Sequence, residues 1–190
     1  MERKTIIIED AVRKGSLASL VFAIFAFLTS IIAPNFINSD PSGKKRASFR
    51  PSLPRSWSIS QLSLAFCLFS TIFISDRRAA MILTGIVGIS WAFALWVPFA
   101  IIGREIAARQ ERNANVIEGE IGPPQQDQAG AIMGLHNASI SMPQIIAAVT
   151  SCFIFWITKV LGSEDGIGWV LRTGGCAALV AAWLSSRMER

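Results

Sequence analysis

The sequence contains no tyrosine and a single histidine, and only 16% of its residues are charged, against about a quarter in an ordinary soluble domain. Acid is scarcest where the chain is most apolar. Five stretches, at about 15–34, 57–75, 79–103, 129–157 and 167–186, hold no Asp or Glu. That absence removes the paired carboxylates of general acid/base catalysis from them. No Ser-His-Asp set, phosphate-cradling glycine loop or metal-ligand spacing occurs anywhere in the chain. Enzyme chemistry, a metal centre and a cofactor are therefore not expected. The three cysteines, Cys67, Cys152 and Cys176, fall inside apolar stretches and read as small hydrophobes rather than as disulfide or zinc partners. The formal charge of +5 does not point to nucleic acid, because Lys and Arg gather in the connecting segments.

What is present is apolar surface, 52% of the residues. It is collected into runs of about 19 to 29 residues, the length that crosses a hydrocarbon core of about 30 Å. A soluble helical bundle would carry a charged face every two turns, and these runs carry almost none. The expected fold is an all-α membrane protein with about five transmembrane helices. Residues 1–14 are mixed in charge, and the run behind them ends at Pro34 and Asn35 without a small-x-small cleavage pattern, so 15–34 reads as a retained span rather than a signal peptide.

Between the first two runs, 35–56 reads as an aqueous loop. It holds Lys44, Lys45 and Arg46, and Pro41, Pro51 and Pro54, with Pro34 at its edge, argue against a continuing helix. Only Asp76, Arg77 and Arg78 separate the second and third runs, which predicts an antiparallel hairpin. The segment 104–128 is polar and carries Pro123-Pro124, with its first turns continuing the preceding helix. The fifth run is the least regular, because Arg172 lies near its start, where it must snorkel to the interface. With 35–56, 104–128 and the C-terminus on the cytoplasmic side, that side has ten Lys or Arg against seven, leaving out Arg172. Arg3, Lys4, Arg13 and Lys14 themselves oppose that orientation.

The fourth run is the most informative. Gly130, Gly134, Asn137, Ser141, Gln144, Ala148 and Ser151 recur at alternating spacings of four and three and form one helical stripe. Small residues admit a neighbouring helix or a ligand, and amides in hydrocarbon need partners. The stripe therefore serves helix packing or lines a sugar path, where amides suit hydroxyls that both donate and accept. His136, beside it, is the one side chain in any run of a type suited to proton exchange near neutral pH, although a lone histidine also serves as a hydrogen-bonded packing residue. Pro143 removes a backbone bond and is expected to kink the helix. Asn137-Ala138-Ser139 matches a glycosylation sequon but lies at membrane depth, out of reach of the modifying enzyme. In the third run, Gly85 and Gly88 allow close packing, Pro98 marks helix packing or a kink, and Trp91 and Trp96 offer flat faces for a sugar ring or anchors for the interface.

These two runs carry a resemblance. GISWAFALWVPFAIIGREIAAR at 88–109 and DQAGAIMGLHNASISMPQIIAAVTS at 127–151 resemble the sucrose and alpha-glucoside proton symporters of fungi and plants. These are a branch of the glycoside-pentoside-hexuronide cation symporter family within the major facilitator fold. EDAVRKGSLASL at 9–20, RSWSISQLSLAFCLFS at 55–70 and GWVLRTGGCAALVAAWL at 168–184 support it, and the fungal form fits best. The resemblance implies that the five spans correspond to helices eight to twelve of twelve. It also implies proton-coupled disaccharide uptake by alternating access around a midplane site. Helices one to seven are absent from this sequence, and with them the residues on which the family's proton coupling and much of its sugar recognition depend, so the expectation is a truncated C-terminal half. The expected partners are the lipid bilayer and, by resemblance, a disaccharide and a proton. The expected membrane is the plasma membrane, with the vacuolar membrane as the alternative. The competing reading is a transport-inactive segment that associates with the missing half or with a full-length homologue.

Overall fold

A computed structural model describes residues 2–37, 51–116 and 126–188. They form α1 (Glu2–Ile32), a 3-10 turn (Ala33–Phe36), α2 (Leu53–Ser70), α3 (Arg77–Val116), α4 (Gln126–Val160) and α5 (Gly166–Arg187). Pro41, Lys44, Lys45, Arg46 and the Pro123-Pro124 pair lie outside the described residues. The chain divides into two compact units, Met1–Ile101 with Leu171–Arg190, and Ile102–Val170.

Among the described residues, four helical segments are long and apolar enough to cross a membrane: Ile8–Phe36, Arg77–Arg109, Gly130–Val160 and Gly166–Arg187. The chain is an integral membrane protein. The segment expected to span over 57–75 differs. It is helical over Leu53–Ser70, and residues 71–73 form a turn. Pro51 and Pro54 do not keep 53–56 in a loop as the sequence suggested. Pro54 stands in the first turn, where a missing N–H leaves no hydrogen bond unmade, and the Ser52 hydroxyl accepts from the Arg55 N–H at 3.3 Å. Five serines and Gln61 in this helix keep it too polar to count with the other four. Helix α3 runs on through Pro98 well beyond the apolar stretch, and α4 runs through Pro143.

In the first unit, α1 meets α3 at two glycines. A Cβ on Gly88 would stand 2.5 Å from the carbonyl oxygen of Phe22, and one on Gly85 would stand 3.2 Å from Val21 and 3.3 Å from Phe25. Only hydrogen at residue 88 lets the two backbones approach so closely. Phe22 and Trp91 extend the contact, with ring centroids 6.3 Å apart. Helix α2 meets α5 in a similar way: Phe69 packs on Gly175, and the Ser58 hydroxyl donates to the Ala182 carbonyl at 2.8 Å in a buried position. A small core gathers Ala33, Ile37, Leu53 and Val97, with Trp57, Phe93 and Trp96 against it.

In the second unit, α4 ends in a turn built on Gly162, whose φ of +69° a side chain would strain. The N–H groups of Gly162 and Ser163 return to the carbonyls of Lys159 and Thr158, at 3.2 and 2.9 Å, which satisfies the last turn. Gly166 then starts α5 against Phe155 and Thr158.

Candidate functional site

The stripe on α4 is one helical face. Asn137, Ser141 and Gln144 are all exposed, and the Ser141 hydroxyl returns to the Asn137 carbonyl at 3.0 Å. That bond occupies the serine proton within the helix and leaves the two amide side chains as the face's principal polar groups. Gly130 and Gly134 sit in open space, with nothing within 4 Å of a Cβ built on either. Ser151 closes the stripe with a hydroxyl bonded to the Ala147 carbonyl at 2.8 Å. His136 is half-buried next to the stripe, and Pro143 is exposed. Between Gly130 and Ser151 the helix carries two amides and no carboxylate, so this face is suited to meeting neutral hydroxyl-rich or amide-rich partners and gives an ion no counter-charge.

The two tryptophans of α3 belong to the first unit. Trp91 is half-exposed and tilts against Phe22 of α1. Trp96 packs into the small core beside Phe93, 6.0 Å between centroids, and its indole Nε1 is buried without a hydrogen-bond partner among the described residues. The described contacts of both indoles are packing contacts. Pro98 is half-buried two residues further along α3.

A second set of polar groups was not singled out from the sequence. Ser56, Ser60, Ser63 and Ser90 line a cleft of about 420 Å³ together with Phe36 and Phe93. The spacing 56, 60, 63 places the first three on one face of α2 and was the available signal, but nothing local tells that Ser90, on another helix, joins them. Ser56 and Ser60 spend their protons on the carbonyls of Ser52 and Trp57, at 2.9 and 2.8 Å. Ser90 is 1% exposed and its hydroxyl has no partner among the described residues. A buried hydroxyl left unpaired costs about 1 to 3 kcal/mol. Ser90→Ala is therefore expected to stabilise the protein by about 1 kcal/mol, read as a higher melting midpoint of the purified protein in detergent. A lower midpoint would mean that the hydroxyl holds a partner.

Comparison with known proteins gives two relatives. The chain is 32% identical over 136 residues to the general alpha-glucoside permease of Schizosaccharomyces pombe, a match covering 69% of this chain and 22% of the permease. It is 28% identical over 183 residues to the MFS-type transporter cctQ of Talaromyces islandicus, covering 92% of this chain and 70% of that protein. The chain thus spans less than a quarter of the permease's length. No protein-family model matches it, and no solved structure does. The relatives are transporters and not enzymes. With five α-helices among its described residues, this chain is distantly similar to fungal major facilitator transporters and matches their C-terminal portion.

Proposed function

We propose that this chain forms part of a major facilitator transporter that moves sucrose or another alpha-glucoside across a membrane, coupled to protons, with the α4 stripe on the sugar path. The observation that carries this reading is the exposure of Asn137 and Gln144 on one face of a helix otherwise apolar enough to span a bilayer. Two amides seven residues apart stand about 10 Å apart along the helix, a separation comparable to the length of a disaccharide. The likeness to an alpha-glucoside permease supports the choice of substrate. Ser141 lies between the two amides as a further acceptor. His136 supplies the imidazole nearest to them in the sequence and is a secondary candidate for the path. Trp91 and Trp96 keep their packing contacts with Phe22 and Phe93 and are secondary candidates for sugar contact. The reading places the protein in the plasma membrane.

A second reading is favoured by the same exposure. Amides in hydrocarbon seek protein, so a helix with none of its apolar window buried is suited to docking against another chain. In this reading the segment carries no sugar itself and modulates a full-length homologue.

Uptake of radiolabelled sucrose and maltose by transport-deficient yeast expressing this chain separates the two. Protonophore-sensitive uptake, from protein shown to be in the membrane, is the expected result. Well-expressed protein without uptake would overturn transport by this chain in favour of association.

A further inference from the structure

We infer that the cleft between the first halves of α1 and α3 binds the phosphate of an anionic membrane phospholipid. The cleft encloses about 570 Å³, and its charged lining is Lys14, Arg77 and Arg78 against one carboxylate, Asp10. Lys14 pairs with Asp10 one turn away on α1, and Arg77 reaches the same carboxylate at 3.9 Å. The guanidinium of Arg78 has no ion-pair partner among the described residues. One negative charge thus faces three positive ones, and a phosphodiester restores part of the missing charge. Asp76 lies close in sequence, but its carboxylate accepts the N–H groups of Arg78 and Ala79, at 3.1 and 3.3 Å, and caps α3. The helix end is already satisfied, so the anion is held by side chains.

The site's depth identifies the source of the phosphate. Arg77 is the first residue of one membrane-crossing segment, and Asp10 and Lys14 lie in the first two turns of another. Charged residues at such positions sit at the level of lipid phosphates, where long cationic side chains reach out of the hydrocarbon. The rest of the lining is apolar or small, with Leu17, Ala18 and Met81 along the deeper wall. Leu17 and Leu20 are exposed on α1 below the charges. Head group and acyl chain thus find consecutive surfaces, which a soluble anion would use only in part.

The test uses the purified chain of 190 residues in a neutral detergent. Native mass spectrometry after adding equimolar phosphatidylglycerol and phosphatidylcholine is expected to show the anionic lipid retained at least about threefold over the zwitterionic one. In melting experiments, phosphatidylglycerol is expected to raise the midpoint and inorganic phosphate to leave it unchanged. The paired substitutions Lys14→Gln and Arg78→Gln should remove at least half of the lipid-induced shift, whereas Arg187→Gln, in the last turn of α5, should keep it. Equal retention of the two lipids by the unmodified chain would overturn the site. So would a full shift in the paired variant, or an equal loss in the Arg187 variant. A shift reproduced by inorganic phosphate would overturn the lipid as its source.

Discussion

Replacing Gly88 with alanine is expected to lower the melting midpoint of the detergent-purified protein by roughly 6 to 12 °C, which corresponds to a loss of about 3 kcal/mol for a chain of this size. The added Cβ would stand 2.5 Å from the Phe22 carbonyl oxygen, and the obstacle is backbone, so no side-chain rotation relieves it. Helices α1 and α3 must separate along their whole crossing, which also disturbs the Phe22–Trp91 contact. Gly85→Ala is the internal control. Its new methyl would meet the side chains of Val21 and Phe25 at 3.2 and 3.3 Å, which adjust by small rotations, so a shift of less than about 1 kcal/mol is expected. If the two variants melt alike, the helices do not cross at Gly88.

The second large effect is on transport. Asn137→Ala and Gln144→Ala are each expected to reduce uptake per molecule in the membrane by about tenfold, and together by up to about a hundredfold. These figures correspond to about 1.4 kcal/mol for each amide lost from hydrogen bonding to sugar hydroxyls. Both side chains are exposed, so their removal leaves no cavity within the described structure. A loss of apparent sugar affinity at unchanged melting midpoint marks a path residue. A role confined to docking predicts instead that the double variant co-purifies less with a full-length homologue while the sugar dependence of that homologue stays the same. Unchanged uptake and unchanged co-purification would remove the α4 stripe from both readings.

Much of the fold is legible because the bilayer imposes one simple rule, that long runs without charge become helices. The runs at 79–103, 129–157 and 167–186 lie inside α3, α4 and α5 for this reason. The start of α2 was misread because proline is a breaker only where an N–H is needed, and Pro54 occupies a first-turn position where none is. The site is legible only as a pattern. The four-three spacing puts Asn137, Ser141 and Gln144 on one face whatever surrounds them. Trp96 shows the limit: an indole in an apolar run reads equally as a sugar platform or a packing group, and its place in the small core depends on Leu53, which lies 43 positions earlier. Lys14 and Arg78 have the same difficulty, since their approach depends on how α1 and α3 cross.

The shortness of α2 bears on which membranes suit the protein. Its 18 residues extend about 27 Å, and its first half is rich in serine, whereas the apolar segment of α4 has 31 residues and extends about 46 Å. A helix as long as α4 fits a bilayer of about 30 Å by tilting, an adjustment that a short and polar helix such as α2 cannot make. Beside α2, either the hydrocarbon thins or water descends along the serine face, and each costs a fraction of a kcal/mol per ångström of mismatch. Local thinning or wetting of the hydrocarbon is what a short, serine-rich helix such as α2 demands of a bilayer. Thick, sterol-rich membranes resist such thinning most, and thinner ones admit it at lower cost.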